Sequence, residues 1–230
     1  MKAWVILICA VILLAACTPS PQPQEQVVPQ PEPQPIEEPA PVVPEEVPVE
    51  PAPQAEMTKR VKDLLAKADK TVTSYAYTYR GLPDRAVELS FSVRADKIKV
   101  ELPFQTVVTP WTNYDTIFLD TMEQTGVAYC REESLNRCPD PERVFQVQYD
   151  TYFRRTPYQW LKLVTYAEET GSAAIDGRQT IRLTADIEGK QTLLFLDTFY
   201  GLPLKVEQGE DIYEFRRLIA NQVTEEDVTP

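Results

Sequence analysis

The stretch Val87-Glu88-Leu89-Ser90-Phe91-Ser92-Val93-Arg94, followed across Ala95-Asp96-Lys97 by Ile98-Lys99-Val100-Glu101-Leu102, decides the fold class. Apolar residues take every second position in both halves. Charged or small polar residues fill the positions between. That is the period of a strand with one buried and one wet face, and two such runs joined by a short polar link read as an antiparallel pair. Asp96-Lys97 is the expected turn.

The same period continues outward. Upstream, Tyr75, Tyr77 and Tyr79 alternate with small or polar residues. Before them the period lengthens: Met57, Val61, Leu64, Leu65 and Ala68 share one helical face, and Lys59, Lys62, Lys67 and Lys70 lie largely opposite. Downstream, Thr116-Ile117-Phe118-Leu119-Asp120-Thr121 and Leu193-Leu194-Phe195-Leu196-Asp197-Thr198 both read as strand, acidic turn, strand. Between them Thr156-Pro157 opens a second helix, with Thr as N-cap and Pro in the first turn, carrying Tyr158, Trp160, Leu161 and Val164. Ile181, Leu183, Ala185 and Ile187 form another alternating strand. Leu202, Leu204 and Val206 form the next, and a last one runs from Ile212 to Phe215 or a little beyond. The expectation is an α+β domain over 57–230, mainly antiparallel β and a meander.

The run Asp176-Gly177-Arg178, Ile181 to Ile187, Leu194-Phe195-Leu196-Asp197 and Gly201-Leu202-Pro203-Leu204-Lys205-Val206 resembles the C-terminal half of LolA/LolB-type lipoprotein carriers. The opening helix with its Ser-Tyr-rich strand, the helix at Trp160 and the closing Asn221-Gln222-Val223 with Val228-Thr229-Pro230 are similar too. The resemblance implies a curved, incomplete β-barrel with the N-terminal and mid-chain helices packed on its concave face. It also implies an apolar cavity for the acyl chains of a lipid or lipoprotein. Tyr77, Phe91, Trp111, Trp160 and Leu161 are the candidate lining residues. Tyr77, Trp111 and Trp160 also have a plainer reading as core packing. No motif around Arg80, Arg94, Arg154 or Arg155 carries over the family's cargo-handling arginine.

The leader gives an address. Lys2 precedes an uncharged apolar run from Ala3 to Ala16, about 14 residues and so shorter than the roughly 20 that span a bilayer. It ends Leu14-Ala15-Ala16-Cys17, which resembles the lipobox of bacterial lipoproteins; archaeal exported lipoproteins look similar. That resemblance implies a signal peptide over 1–16 and lipid attachment at Cys17. A diacylglyceryl cysteine supplies the two chains that stable anchoring needs. Residues 18–56 then hold 13 Pro and 8 Glu and no Lys or Arg. This composition favours an extended, solvated stalk and cannot build a core. The expected organisation is leader 1–16, lipidated Cys17 plus stalk to 56, and domain 57–230. The expected location is exported and lipid-anchored to the cell membrane or outer membrane, with the domain facing the periplasm or the extracellular side.

Cys130 and Cys138 remain, separated by seven residues, and in an exported protein a disulfide is the default for such a pair. The chain has no His, which removes Ser-His-Asp, Cys-His and His-metal chemistry. It has no P-loop, nucleophile elbow or Gly-rich dinucleotide turn. No metal, cofactor or enzymatic activity is expected. The formal charge of −12 sits mostly in the stalk and, with no basic cluster, argues against nucleic acid. The composite expectation is an anchored, non-catalytic binder of a lipid or acylated protein. The alternative is a structural or protein-interaction module, or an envelope sensor, with a filled core; no particular protein partner is indicated.

Overall fold

The computed structural model describes residues 56–109, 112–131, 138 and 142–230. The leader, Cys17 and the stalk up to Ala55 lie outside the described residues, as does Trp111.

The described residues open with two short helices, α1 (Lys59–Leu65) and α2 (Lys67–Thr71), divided at Ala66. Thr58 caps α1 by accepting from the Val61 amide. The expected apolar face is present: Val61, Leu64 and Ala68 are buried. Six strands follow: β1 (Ser74–Arg80), β2 (Leu89–Arg94), β3 (Lys97–Thr109), β4 (Thr112–Asp120), β5 (Thr125–Tyr129) and β6 (Phe145–Gln146). Two helices come next, α3 (Tyr149–Tyr152) and α4 (Pro157–Lys162). Then come β7 (Ala167–Ile175), β8 (Arg178–Ile187), β9 (Lys190–Asp197), β10 (Pro203–Gln208) and β11 (Asp211–Ala220), followed by a 3-10 turn at Glu226–Val228.

The eleven strands of the described residues form one antiparallel sheet in the order β6-β5-β4-β3-β2-β1-β11-β10-β9-β8-β7. The first six run outward from the centre. The segment carrying α3 and α4 then takes the chain to the far edge, and β7 to β11 run back until β11 pairs with β1. The sheet is therefore open, with β6 and β7 as its two edges. This is the mainly antiparallel half-barrel expected from the sequence, with α1, α2 and α4 over one face.

Alternation sets that face. Tyr75, Tyr77 and Tyr79 of β1, Leu89, Phe91 and Val93 of β2, and Leu183, Ala185 and Ile187 of β8 are all buried in one cluster with Val61, Trp160 and Leu161. Each large apolar side chain so buried contributes roughly 1.5–3 kcal/mol. Two-residue turns at Asp176-Gly177 and Glu188-Gly189 have both residues at positive φ, which matches the twist of the strands they join.

The expected turn at Asp96-Lys97 is shifted by one residue. Ala95 and Asp96 form it, with Ala95 at φ 52, and Lys97 already pairs with Arg94. β3 also runs seven residues beyond Leu102. Its pairing with β2 stops at Glu101 and that of β4 with β5 begins at Thr116, so the outer β3–β4 hairpin stands clear of both neighbours.

Candidate functional site

The seam between helices and sheet collects four of the five apolar candidates. On β1 and β2, Tyr77 lies opposite Phe91, and the two rings stack with centroids 5.2 Å apart. Phe215 of β11 meets Tyr77 edge-on at 5.5 Å. Trp160 and Leu161 come down from α4, whose start is fixed by a capping box between Thr156 and Gln159. Trp160 packs on Tyr213 at 5.1 Å, with the Arg155 guanidinium 4.6 Å from its ring. Tyr77, Phe91 and Trp160 are 3%, 1% and 2% exposed, so the seam is closed around them. Surface clefts lie elsewhere. One of about 310 Å³ is lined by Arg80, Gly81, Arg85 and Ile212, and one of about 580 Å³ by Lys190, Leu193 and Gln208.

Polar groups in the seam are unevenly satisfied. The Tyr75 hydroxyl donates to Thr156 Oγ1 at 3.0 Å, tying β1 to the N-cap of α4. The Tyr79 hydroxyl donates to the Leu82 carbonyl at 2.5 Å. Tyr77, between them on the same face, has a fully buried hydroxyl with no hydrogen-bond partner, and the Trp160 indole N–H is in the same state. Such a group costs on the order of 1–3 kcal/mol relative to a satisfied one. Burial pushes the Tyr77 phenol well above its ordinary pKa, with Tyr75 and Tyr79 adding to the effect. It stays protonated, and so remains a donor.

Two clasps hold the helices over the sheet. Asp69 of α2 accepts from Lys162 Nζ of α4 at 2.7 Å and from the Tyr158 hydroxyl. Arg154, ahead of α4, is almost fully buried. It donates from Nε and Nη2 to Asp84, and from Nη1 to the carbonyls of Thr151 and Phe153. No local sequence signal marks either clasp, because Asp69 and Lys162 are 93 residues apart and Asp84 and Arg154 are 70. Phe215 and Tyr213 were legible as strand residues, but the Phe215–Tyr77 contact depends on the β1–β11 pairing and the Tyr213–Trp160 contact on the docking of α4.

Cys130 and Cys138 are joined as a disulfide with Cα atoms 5.7 Å apart. Gln105 Nε2 lies 3.6 Å from both sulfurs, and Gln105 Oε1 accepts from Asn113 at 2.6 Å. The bridge therefore braces the base of the projecting β3–β4 hairpin. Phe104, Val107 and Val108 of that hairpin are exposed. Among the described residues no group of three or more acidic, His or Cys side chains is placed to hold a metal ion. Among them, too, no helix is long and apolar enough to cross a membrane.

No protein-family model matches the chain, and no curated protein sequence matches it. Among solved structures it is similar to the MucA/MucB complex of Pseudomonas aeruginosa, at 14% identity and a TM-score of 0.40, over 74% of this chain and 60% of that one. It is similar to LprF from Mycobacterium bovis at 11% identity and a TM-score of 0.44, over 75% and 97%. A conserved protein from Thermus thermophilus is similar at 13% identity and a TM-score of 0.40, over 74% and 90%. The chain spans less than two thirds of the MucB chains it matches. At these identities and scores nothing about ligand or partner transfers to this chain.

Proposed function

We propose that this chain is a membrane-tethered extracytoplasmic protein that holds the acyl chains of a lipid or acylated protein between its helices and its sheet, without chemistry. The observation that carries the reading is the pair of orphaned donors, Tyr77 and Trp160, in a seam whose Tyr75 and Tyr79 hydroxyls are satisfied. A permanently filled core gains nothing from them. A seam that opens to admit a ligand has a use for both. The covering helices suit such opening, since α1 has 7 residues, α2 has 5 and α4 has 6, and polar clasps tie them down.

The tether is Cys17, lipidated after removal of residues 1–16, with residues 18–56 as the stalk and 57–230 as the binding domain. It holds the domain on the periplasmic or extracellular side of the membrane, near any lipid cargo. A Cys17→Ser form is expected in the soluble fraction after leader cleavage. A form that stays membrane-bound contradicts lipidation at this residue.

A second reading, a protein-interaction module with a filled core, is favoured by the closed packing of Tyr77, Phe91 and Phe215. The exposed Phe104, Val107 and Val108 also favour it. Titration of the full chain with N-phenyl-1-naphthylamine separates the two. Acyl binding predicts saturable fluorescence enhancement that oleate reverses. A flat titration supports the interaction module.

A further inference from the structure

We propose that the group recognised in this seam is a neutral acyl carbonyl, of an ester or an amide, which accepts hydrogen bonds from the Tyr77 hydroxyl and the Trp160 indole N–H. The inference rests on the acyl-binding reading above and goes beyond it, because it selects one linkage chemistry among lipids.

The inner face of β1 supplies an internal comparison. It presents three tyrosines at successive inward positions, and the outer two have defined partners in Thr156 and Leu82. Only the middle one, Tyr77, is left unsatisfied. A phenylalanine there would fill the same volume and make the same ring contacts with Phe91 and Phe215. The hydroxyl is therefore the part of Tyr77 that packing does not explain.

The polarity of the missing partner follows from the donors. An indole N–H donates and never accepts, and a phenol that stays protonated donates readily. Two donors call for an acceptor, and a carbonyl oxygen offers two lone pairs. A hydrocarbon has none, and an ether oxygen is a weaker, more hindered acceptor.

The charge of the partner follows from the cations nearby. An anionic headgroup drawn into an apolar seam needs a free cation. Arg154 is taken up by Asp84 and two backbone carbonyls. Arg155 is paired with Glu188 at 2.8 Å, and Lys162 with Asp69 at 2.7 Å. The seam thus offers neutral donors to a neutral acceptor, while a charged headgroup stays outside.

The test uses the full chain and three probes of equal chain length: a dioleoylglycerol ester, its amide-linked N-oleoyl analogue and the dialkyl ether analogue. Each is titrated as a displacer of N-phenyl-1-naphthylamine. One buried hydrogen bond to a neutral group makes a difference of roughly tenfold. The ester or the amide is expected to displace at about tenfold lower concentration than the ether. Preference for only one of the two carbonyl probes identifies the source of the carbonyl. In Tyr77→Phe the preference should fall to about two- to threefold, with the melting temperature equal to wild type or higher. Isotope-edited infrared spectra of carbonyl-labelled ester give a second measurement, in which the bound carbonyl band should lie lower in wild type than in Tyr77→Phe. Equal displacement by ester, amide and ether overturns the proposal and leaves the acyl-binding reading standing. So does an undiminished preference in Tyr77→Phe. Displacement by none of the three overturns the acyl-binding reading and this proposal with it.

Discussion

Gly201 lies against the Leu64 carbonyl oxygen so closely that a Cβ at position 201 would come within 2.6 Å of it. The Gly201-Leu202-Pro203 turn is thereby fitted to the junction of α1 and α2, with the Ala68 amide at 3.2 Å from the same Cβ position. Both neighbours are backbone, so neither yields by a rotamer change.

Gly201 also sits at φ +75, a conformation that disfavours any side chain. Gly201→Ala is expected to destabilise the domain by roughly 3 kcal/mol, from strain and overpacking together. In a domain of this size that lowers the melting temperature by about 10 °C. Gly177→Ala is the control. Its φ is +73, but no atom lies within 4 Å of the added Cβ. It should cost only about 1 kcal/mol. Equal melting temperatures for the two variants would contradict the close approach of α1–α2 to this turn.

The Asp69 clasp gives the helix cover a pH dependence. The hydrogen bond from Lys162, then that from Tyr158, holds the Asp69 carboxyl below its ordinary pKa. The Lys162 ammonium is raised, mainly by Asp69. A depressed carboxyl stabilises fully above its unfolded value of about 3.9, and that stability is lost as pH falls through the folded value. A raised lysine stabilises fully below about 10.4, and its contribution is lost as pH rises through the folded value. Both side chains are about half exposed, at 46% for Asp69 and 53% for Lys162, so solvent screening leaves only a few tenths of a kcal/mol. Urea unfolding of wild type and Asp69→Asn should differ by that amount at pH 6 and converge in acid. A difference that persists unchanged below pH 3 would contradict the clasp.

The Cys130–Cys138 bridge closes a short loop, and in the chain-entropy model it removes about 2.5 kcal/mol of unfolded-state freedom. Replacing both cysteines by serine should lower stability by about that amount. It should also loosen the β3–β4 hairpin through loss of the Gln105 contacts. Thiol labelling checks the pairing. Neither cysteine should react in native, unreduced protein, and both should react after reduction and unfolding.

Much of the fold was legible because the inner face alternates cleanly. β1, β2, β8 and β10 each bury every second residue, and a period of two cannot be mistaken for a helix there. β7 escaped notice for the opposite reason. Glu168, Glu169, Thr170, Gly171 and Ser172 are exposed in succession on an edge strand, so burial imposed no pattern on its sequence. β6 is two residues long, and Pro103 masks the outer half of β3. The split at Ala66 and the one-residue shift to an Ala95-Asp96 turn are local backbone choices that an apolar period does not encode.

The candidate site was legible in part. Tyr77, Phe91, Trp160 and Leu161 were readable as inward apolar positions, and the fold brings them together. What distinguishes Tyr77 from Tyr75 and Tyr79 is the partner of each hydroxyl. Those partners come from the α4 cap and the loop after β1. Such a difference belongs to three-dimensional contact and leaves no trace in spacing. The Asp84–Arg154 and Asp69–Lys162 pairs are invisible for the same reason.

Native mass spectrometry of the full chain, taken from its own membrane fraction, tests the holding of an acyl ligand most directly. Wild-type protein is expected to carry one lipid or acyl-peptide adduct in addition to the covalent modification proposed at Cys17. That adduct should be released on acid unfolding and identified in the organic extract. A bare mass under conditions that preserve folding, with no lipid in the extract, would contradict the account and leave the filled-core interaction module in its place.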